Sequence, residues 1–153
     1  MEILTNTNRS FTFWRSLKNW KLSAKNTFWC LVGCSIGDFG TIAFFQFNQI
    51  PWPTLAIMSL AIVNGLLTSI ALETYILRKQ GMDLAESFKT AMGMSMISMI
   101  GMEAAMNITD WYLTGGALLT WWVIPIMLAA GFVAPWPYNY WRLQKWGKSC
   151  CTT

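Results

Sequence analysis

Two cysteines and an aspartate follow one another at four-residue spacing in the segment CLVGCSIGD. On an α-helix the positions i, i+4 and i+8 lie on one slowly rotating face, so Cys30, Cys34 and Asp38 share one side of the helix. Thiolates suit soft metal ions such as Cu(I). The three side chains are therefore candidate metal ligands, and the neighbouring Gly33 and Gly37 would let another helix approach closely.

A second candidate site lies in TAMGMSMISMIGMEAAMNITD, residues 90–110, which holds six methionines and two acidic residues. At 100° per residue, one narrow helical stripe contains Met92, Met96, Met99, Glu103, Met106 and Asp110. Thioethers are also soft ligands, so a methionine stripe leading from a carboxyl group to a cysteine pair could form a path for Cu(I). The alternative interpretation is packing, because methionine commonly fills irregular gaps in a core.

Asp38 and Glu103 also suit a different chemistry. Carboxyl groups within membrane helices often form proton relays. Potential hydrogen-bond partners for them are Asn64, Thr68 and Asn107. Such a network is typical either of proton-coupled transport or of polar contacts between packed helices, which contribute roughly 0.6 kcal/mol each.

Other kinds of chemistry lack the residues they need. The chain contains no histidine, which is the commonest general base and metal ligand. It also has no glycine-rich phosphate loop and no Gly-x-Ser-x-Gly motif, so we expect no enzymatic activity.

A redox role for the Cys30–Cys34 pair is the weakest hypothesis, because helical spacing places their Cα atoms about 6 Å apart, marginal for a disulfide. Cys150 and Cys151 could be lipidated or bind metal, but we expect no role for them.

The elements that position these residues are predicted to be membrane helices. Hydrophobic residues make up 54% of the 153 residues and charged residues 12%, against about 25% charged in soluble domains. Four apolar segments have roughly the 20 residues that cross a hydrocarbon core, at 28–47, 52–77, 87–106 and 116–140. We predict an all-α, four-helix transmembrane bundle. It comprises a basic segment 1–27, interfacial or flexible, a membrane domain 28–140 and a tail 141–153. The fourth helix should kink or end near Ala134, where prolines follow.

The distribution of charge predicts the orientation. All eleven Lys and Arg residues lie before the first segment, between the second segment and the first turn of the third, or after the fourth. The positive-inside rule therefore predicts that both termini are cytoplasmic in a multi-pass protein of the cell membrane. The expected partner is the lipid bilayer and not nucleic acid, and four short helices enclose so little volume that a homo-oligomer is a further expectation. Glu73, one turn before Arg78, is expected to reach the interface or to pair with that arginine.

Three motifs resemble a known family, the domain of unknown function 4396, which comprises small bacterial membrane proteins. The motifs are CLVGCSIGD, SMISMIGMEAAMN and VAPWPYN with the following WGK, and the resemblance covers residues 23–148. It implies a four-helix membrane protein with a polar intramembrane site, and it supplies no activity. Trp29 stands where relatives often have histidine, and Asp38 where many have glutamate, which would weaken or alter any metal site. The matching residues are Cys30, Gly33, Cys34, Gly37, Asp38, Met102, Glu103, Asn107, Pro137 and Asn139.

Two main functional hypotheses follow. The first is transport or handling of a soft metal ion such as Cu(I), with Cys30, Cys34 and Asp38 as an inner site and the methionine stripe with Glu103 as the outer path. The second is a structural or accessory membrane subunit whose polar residues only specify helix packing. The two differ in one structural expectation, because a metal path requires the cysteines, Met99 and Glu103 to converge on one axis.

Overall fold

The computed structural model describes residues 14–146, apart from the side chains of Met94 and Trp146. Over this range the chain is all-α, as predicted, but it forms five helices instead of four. Two of them, α1 and α2, are long and apolar enough to cross a membrane. The helices are α1 (Leu17–Asn48), α2 (Thr54–Lys79), α3 (Leu84–Thr114), α4 (Val123–Val133) and α5 (Trp136–Trp146).

Helix α1 begins eleven residues before the predicted segment. Ser16 caps it, because the serine hydroxyl accepts a hydrogen bond from the backbone N–H of Asn19 at 3.4 Å. No proline or glycine interrupts residues 17–27, so the basic stretch continues directly into the apolar part of the helix. The interfacial or flexible alternatives for residues 1–13 lie outside the described residues. For residues 17–27, the structure shows the start of α1 instead of a separate segment.

A short turn joins helices α2 and α3. Gly81 has a φ of 95°, and the carboxylate of Asp83 caps α3 by accepting a hydrogen bond from the N–H of Ala85. Helix α3 continues well past residue 106. It ends at Thr114. The following Gly115 caps it with a φ of 86°, a left-handed conformation that glycine adopts without strain.

The fourth predicted segment is not a single helix. Residues 116–122 contain left-handed backbone at Gly116 and Ala117, so α4 begins only at Val123. Its 11 residues span about 16 Å, roughly half of a 30 Å hydrocarbon core. The helix ends next to Ala134, as predicted, and Pro135 separates it from α5.

The turns place the described cations at one end of the bundle. Helices α1 and α2 form the most extensive helix contact, and α5 packs against the start of α1. Tyr140 fixes that contact, since its ring stacks on Trp20 with centroids 4.1 Å apart and its hydroxyl accepts from the N–H of Ser16 at 3.3 Å. We call this end, formed by the start of α1, the α2–α3 turn and α5, the charged end. At the opposite end the amide side chain of Gln46 forms two hydrogen bonds with the backbone of Leu119.

Glycines on α1 explain its close contact with α2. A Cβ atom on Gly33 would lie 2.6 Å from the Cα of Ser69, and one on Gly37 would overlap the backbone carbonyl of Asn64. The hydroxyl of Thr68 donates to the carbonyl of Gly33 at 2.6 Å across the same interface. The small-residue face of α1 is therefore a contact within the chain.

Candidate functional site

The inner face of α1 presents its three candidate residues to the interior. Cys30, Cys34 and Asp38 are all buried, and the residues between them rise about 12 Å along the helix axis. Both thiols are free. Each of the three side chains meets a polar partner from another helix, so the site is built as successive layers.

The layer nearest the charged end pairs Cys30 with Glu73 of α2. The thiol donates a hydrogen bond to the Glu73 carboxyl group, and the Arg142 guanidinium of α5 lies close enough to act electrostatically on both. The prediction that Glu73 reaches the interface or pairs with Arg78 is wrong, because Glu73 is fully buried and faces α1. Its place follows from the α2 stripe of Gly65, Ser69 and Glu73, which points inward at four-residue spacing.

The middle layer brings Cys34 against Glu103 of α3. The Glu103 carboxyl group occupies the space beside Gly65, where a Cβ atom would overlap its Oε1 and lie 2.7 Å from its Cδ. The same Cβ would lie 3.1 Å from the carbonyl oxygen of Cys34. Gly65 thus forms a niche in α2 that admits the carboxyl group to the bundle interior.

The third layer joins Asp38 to Asn107. The Asn107 amide donates to Asp38 Oδ1 at 3.3 Å and to the carbonyl of Glu103 at 3.1 Å. The other predicted partners bind elsewhere: Asn64 donates to the hydroxyl of Thr41 at 2.8 Å, and Thr68 donates to backbone carbonyls. Their positions on α2 direct them to the α1–α2 contact instead of the carboxyl groups.

Asp110 ends the series near the opposite end of the bundle. It accepts hydrogen bonds from the Thr114 hydroxyl at 2.7 Å and from the N–H of Leu118 at 3.2 Å. These bonds hold the loop that follows α3. Asp110 also acts electrostatically on Asp38, as Asp38 does on Glu103. The layers therefore form one continuous series, the polar column, made up of Glu73, Cys30, Cys34, Glu103, Asp38, Asn107 and Asp110.

The methionine stripe of α3 divides between two environments. Met99 and Met106 are fully buried in the same core cluster as Cys30 and Cys34. Met102, outside the predicted stripe, is buried there as well. Met92 and Met96 are half-buried. They pack against this cluster and also line a surface groove between α2 and α3.

Among residues 14–146 there is no group of three or more His, Cys, Asp or Glu side chains that could hold a metal ion. Each cysteine instead faces one carboxyl group. A soft ion would have to use a thiol together with thioethers from the methionine core, because those are the remaining soft donors. Cys150 and Cys151 lie outside the described residues.

The column holds more acid than base. Asp38, Glu73, Glu103 and Asp110 are each at most 1% exposed, and within the described range Arg142 is the one buried cation. Both oxygens of Glu103, one of Asp38 and one of Glu73 have no hydrogen-bond partner there. Burying an unpaired carboxylate costs several kcal/mol. Some of these groups must therefore hold protons or another cation.

Comparison with known proteins gives one match. The family model described as "Domain of unknown function (DUF4396)" matches residues 19–148. The chain belongs to this family. No curated protein and no solved structure matches the chain.

The motifs that carried the resemblance to DUF4396 converge in space. Cys30, Cys34, Asp38, Glu103 and Asn107 are members of the polar column. Gly33 and Gly37 form the α1–α2 contact, and Met102 belongs to the core beside the cysteines. Asn139 donates to the Thr27 hydroxyl at 2.8 Å and ties α5 to α1, whereas Pro137 is exposed in the first turn of α5.

The sequence did not predict the places of three residues in or beside the polar column, Glu73, Gly65 and Arg142. The four-residue spacing of Gly65, Ser69 and Glu73 could have indicated that Glu73 and Gly65 point inward. The indication for Arg142 is weaker: it lies three residues after Asn139 and so falls on the same face of α5. Its charge alone predicts an exposed residue, yet it is buried, unlike the lysine and arginine residues of the described turns.

Proposed function

We propose that this chain is an integral membrane protein that moves a small cation through its interior along the polar column. The observation that carries the proposal is the excess of buried carboxyl groups over buried cations. In a membrane, such residues are costly and usually mark an ion or proton pathway. We propose no catalytic role, because the column offers no histidine and no activated nucleophile.

The membrane location rests on surface and length. Helices α1 and α2 have the length and apolarity of spanning helices. Large apolar side chains are exposed along several helices, among them Phe47, Tyr112 and Trp121, which suits contact with lipid. We propose four passes, with α4 and α5 together making the last. The cations of the charged end then face the cytoplasm, as do both termini, and the cell membrane of a bacterium is the proposed location.

The cation that fits the column with least rearrangement is the proton. Carboxyl groups and thiols both bind and release protons, and successive members of the column lie close enough to interact. Unpartnered oxygens on Glu103, Asp38 and Glu73 are free to accept a proton or a water molecule. The column lies within one chain, so a homo-oligomer is compatible with this route and not required by it.

A soft metal ion such as Cu(I) is the second candidate. The observation in its favour is that Met99, Met102 and Met106 share one core with Cys30 and Cys34. Two or three sulfur donors would suit this ion. A third possibility, in which the polar residues only specify packing, predicts that removing the charge of Glu103 alters stability and nothing else.

Proton flux into proteoliposomes tests the first candidate. Purified protein is reconstituted around a pH-sensitive dye, and a potassium gradient with valinomycin supplies the driving potential. We expect acidification that Glu103→Gln abolishes, because the amide keeps the shape of the side chain but cannot carry the proton. Glu86→Gln is the matched control, since Glu86 is exposed in the first turn of the same helix.

Binding of Cu(I) under reducing conditions tests the second candidate. Stoichiometric binding that is lost in Cys30→Ser/Cys34→Ser would support metal handling. Absence of binding, together with dye acidification by the wild type, would leave the proton as the transported cation. Absence of both would leave helix packing as the role of the polar column.

A further inference from the structure

A surface groove lies between α2 and α3, outside the polar column. It has a volume of about 660 Å³ and an almost wholly apolar lining. Leu67 and Ala71 of α2 form one wall, and Phe88, Met92 and Met96 of α3 form the other. The two half-buried methionines of the stripe, Met92 and Met96, therefore line this groove.

The groove has the length of a lipid chain and the direction of a membrane normal. Along α2 it extends from Val63 to Arg78, which is about 22 Å at 1.5 Å per residue. That length exceeds the roughly 15 Å that one leaflet contributes to a hydrocarbon core of about 30 Å, so the groove can hold a whole acyl chain. Helix α2 is itself one of the two candidate spanning helices, so a chain lying in the groove would run parallel to the surrounding lipid.

Positively charged side chains lie at only one end of the groove. Arg78 lines it at the charged end. The ammonium group of Lys79 lies over the ring of Tyr75, 6.0 Å from its centroid, and Tyr75 also lines the groove. Across the described part of the chain, no carboxylate forms an ion pair with Arg78 or Lys79. Two cations without an ion-pair partner among the described residues therefore lie at one end of an apolar groove.

We propose that this groove binds one anionic phospholipid, with an acyl chain between α2 and α3 and its phosphate at Arg78 and Lys79. The inference rests on the proposed membrane location and not on cation movement. Basic pockets between membrane helices on the cytoplasmic side recognise anionic headgroups in this way. A zwitterionic headgroup would bring its own ammonium group towards two cations, which disfavours it.

Native mass spectrometry with defined lipids tests the headgroup. Detergent-purified protein is stripped of lipid and titrated with phosphatidylglycerol or phosphatidylethanolamine of identical acyl chains. We expect one high-affinity adduct with phosphatidylglycerol. Arg78→Gln should weaken that adduct about fivefold, the effect of one interfacial cation. Arg15→Gln should leave it unchanged, because Arg15 is exposed at the charged end but lies outside the groove.

A matched pair of tryptophan variants tests the groove. Ala71→Trp should fill it and remove the high-affinity adduct. Ala129→Trp places the same side chain on an exposed position of α4, away from the groove, and should bind as the wild type does. Equal binding by Ala71→Trp and wild type, or equal affinity for both lipids, would overturn the proposal. Either failure would leave the flux assay unaffected, whereas a protein that stays soluble without detergent would overturn the membrane location itself.

Discussion

The niche at Gly65 gives the sharpest test of how the polar column is built. Gly65→Ala adds a Cβ atom that overlaps Oε1 of Glu103 and lies 3.1 Å from the carbonyl oxygen of Cys34. Overpacking of this kind costs up to about 3 kcal/mol, and the higher helix propensity of alanine returns about 1 kcal/mol. We therefore expect a net destabilisation of about 2 kcal/mol.

Thermal unfolding in detergent measures this loss. For a chain of 153 residues, 2 kcal/mol corresponds to a decrease in Tm of about 4–8 °C. Gly101→Ala is the control, because a Cβ atom at Gly101 meets nothing within 4 Å and α3 should gain up to about 1 kcal/mol. Adding Glu103→Ala to Gly65→Ala should recover stability by removing the overlapping carboxyl group, and a double-mutant cycle measures this coupling. A Gly65→Ala protein as stable as Gly101→Ala would refute the niche.

Three further substitutions probe the remaining contacts, each by the same unfolding measurement. Gly37→Ala should lower stability by at least about 2 kcal/mol, because the new atom overlaps backbone on α2, whereas Gly40→Ala, which faces open space, should not. Cys30→Ala should cost about 1–3 kcal/mol by leaving a Glu73 oxygen without its donor, and Cys30→Ser should recover most of that loss. Asn139→Ala should cost about 1 kcal/mol through the lost bond to α1, and an unchanged Tm would contradict that contact.

The sequence predicted the helical class and the inward face of α1 because both depend on local spacing. Apolar length indicates a helix in lipid, and residues four apart must share a face. The hydrogen-bond partner of each side chain was harder to predict from the sequence. Asn107 and Asn64 were equally good candidates for Asp38, and only the rotation of α2 against α1, fixed by Gly33 and Gly37, decides between them.

The predicted helix boundaries and the predicted fourth helix were wrong for a different reason. Residues 17–27 are too polar overall to indicate a membrane segment, yet nothing stops the helix there once Ser16 caps it. Residues 116–122 are apolar enough to suggest a helix, but left-handed backbone at Gly116 and Ala117 delays its start. Hydropathy measures the preference for lipid and not the backbone conformation, so it could not locate either boundary.

We propose that the buried carboxyl groups of the column carry a cation through the bundle. Electrical recording of proteoliposomes on a solid-supported membrane tests it most directly, with wild type and Glu103→Gln reconstituted at the same protein-to-lipid ratio. A proton gradient should drive a current in the wild type that the variant lacks, while Glu86→Gln retains it. Currents equal to those of protein-free vesicles, or equal in wild type and Glu103→Gln, would contradict the claim.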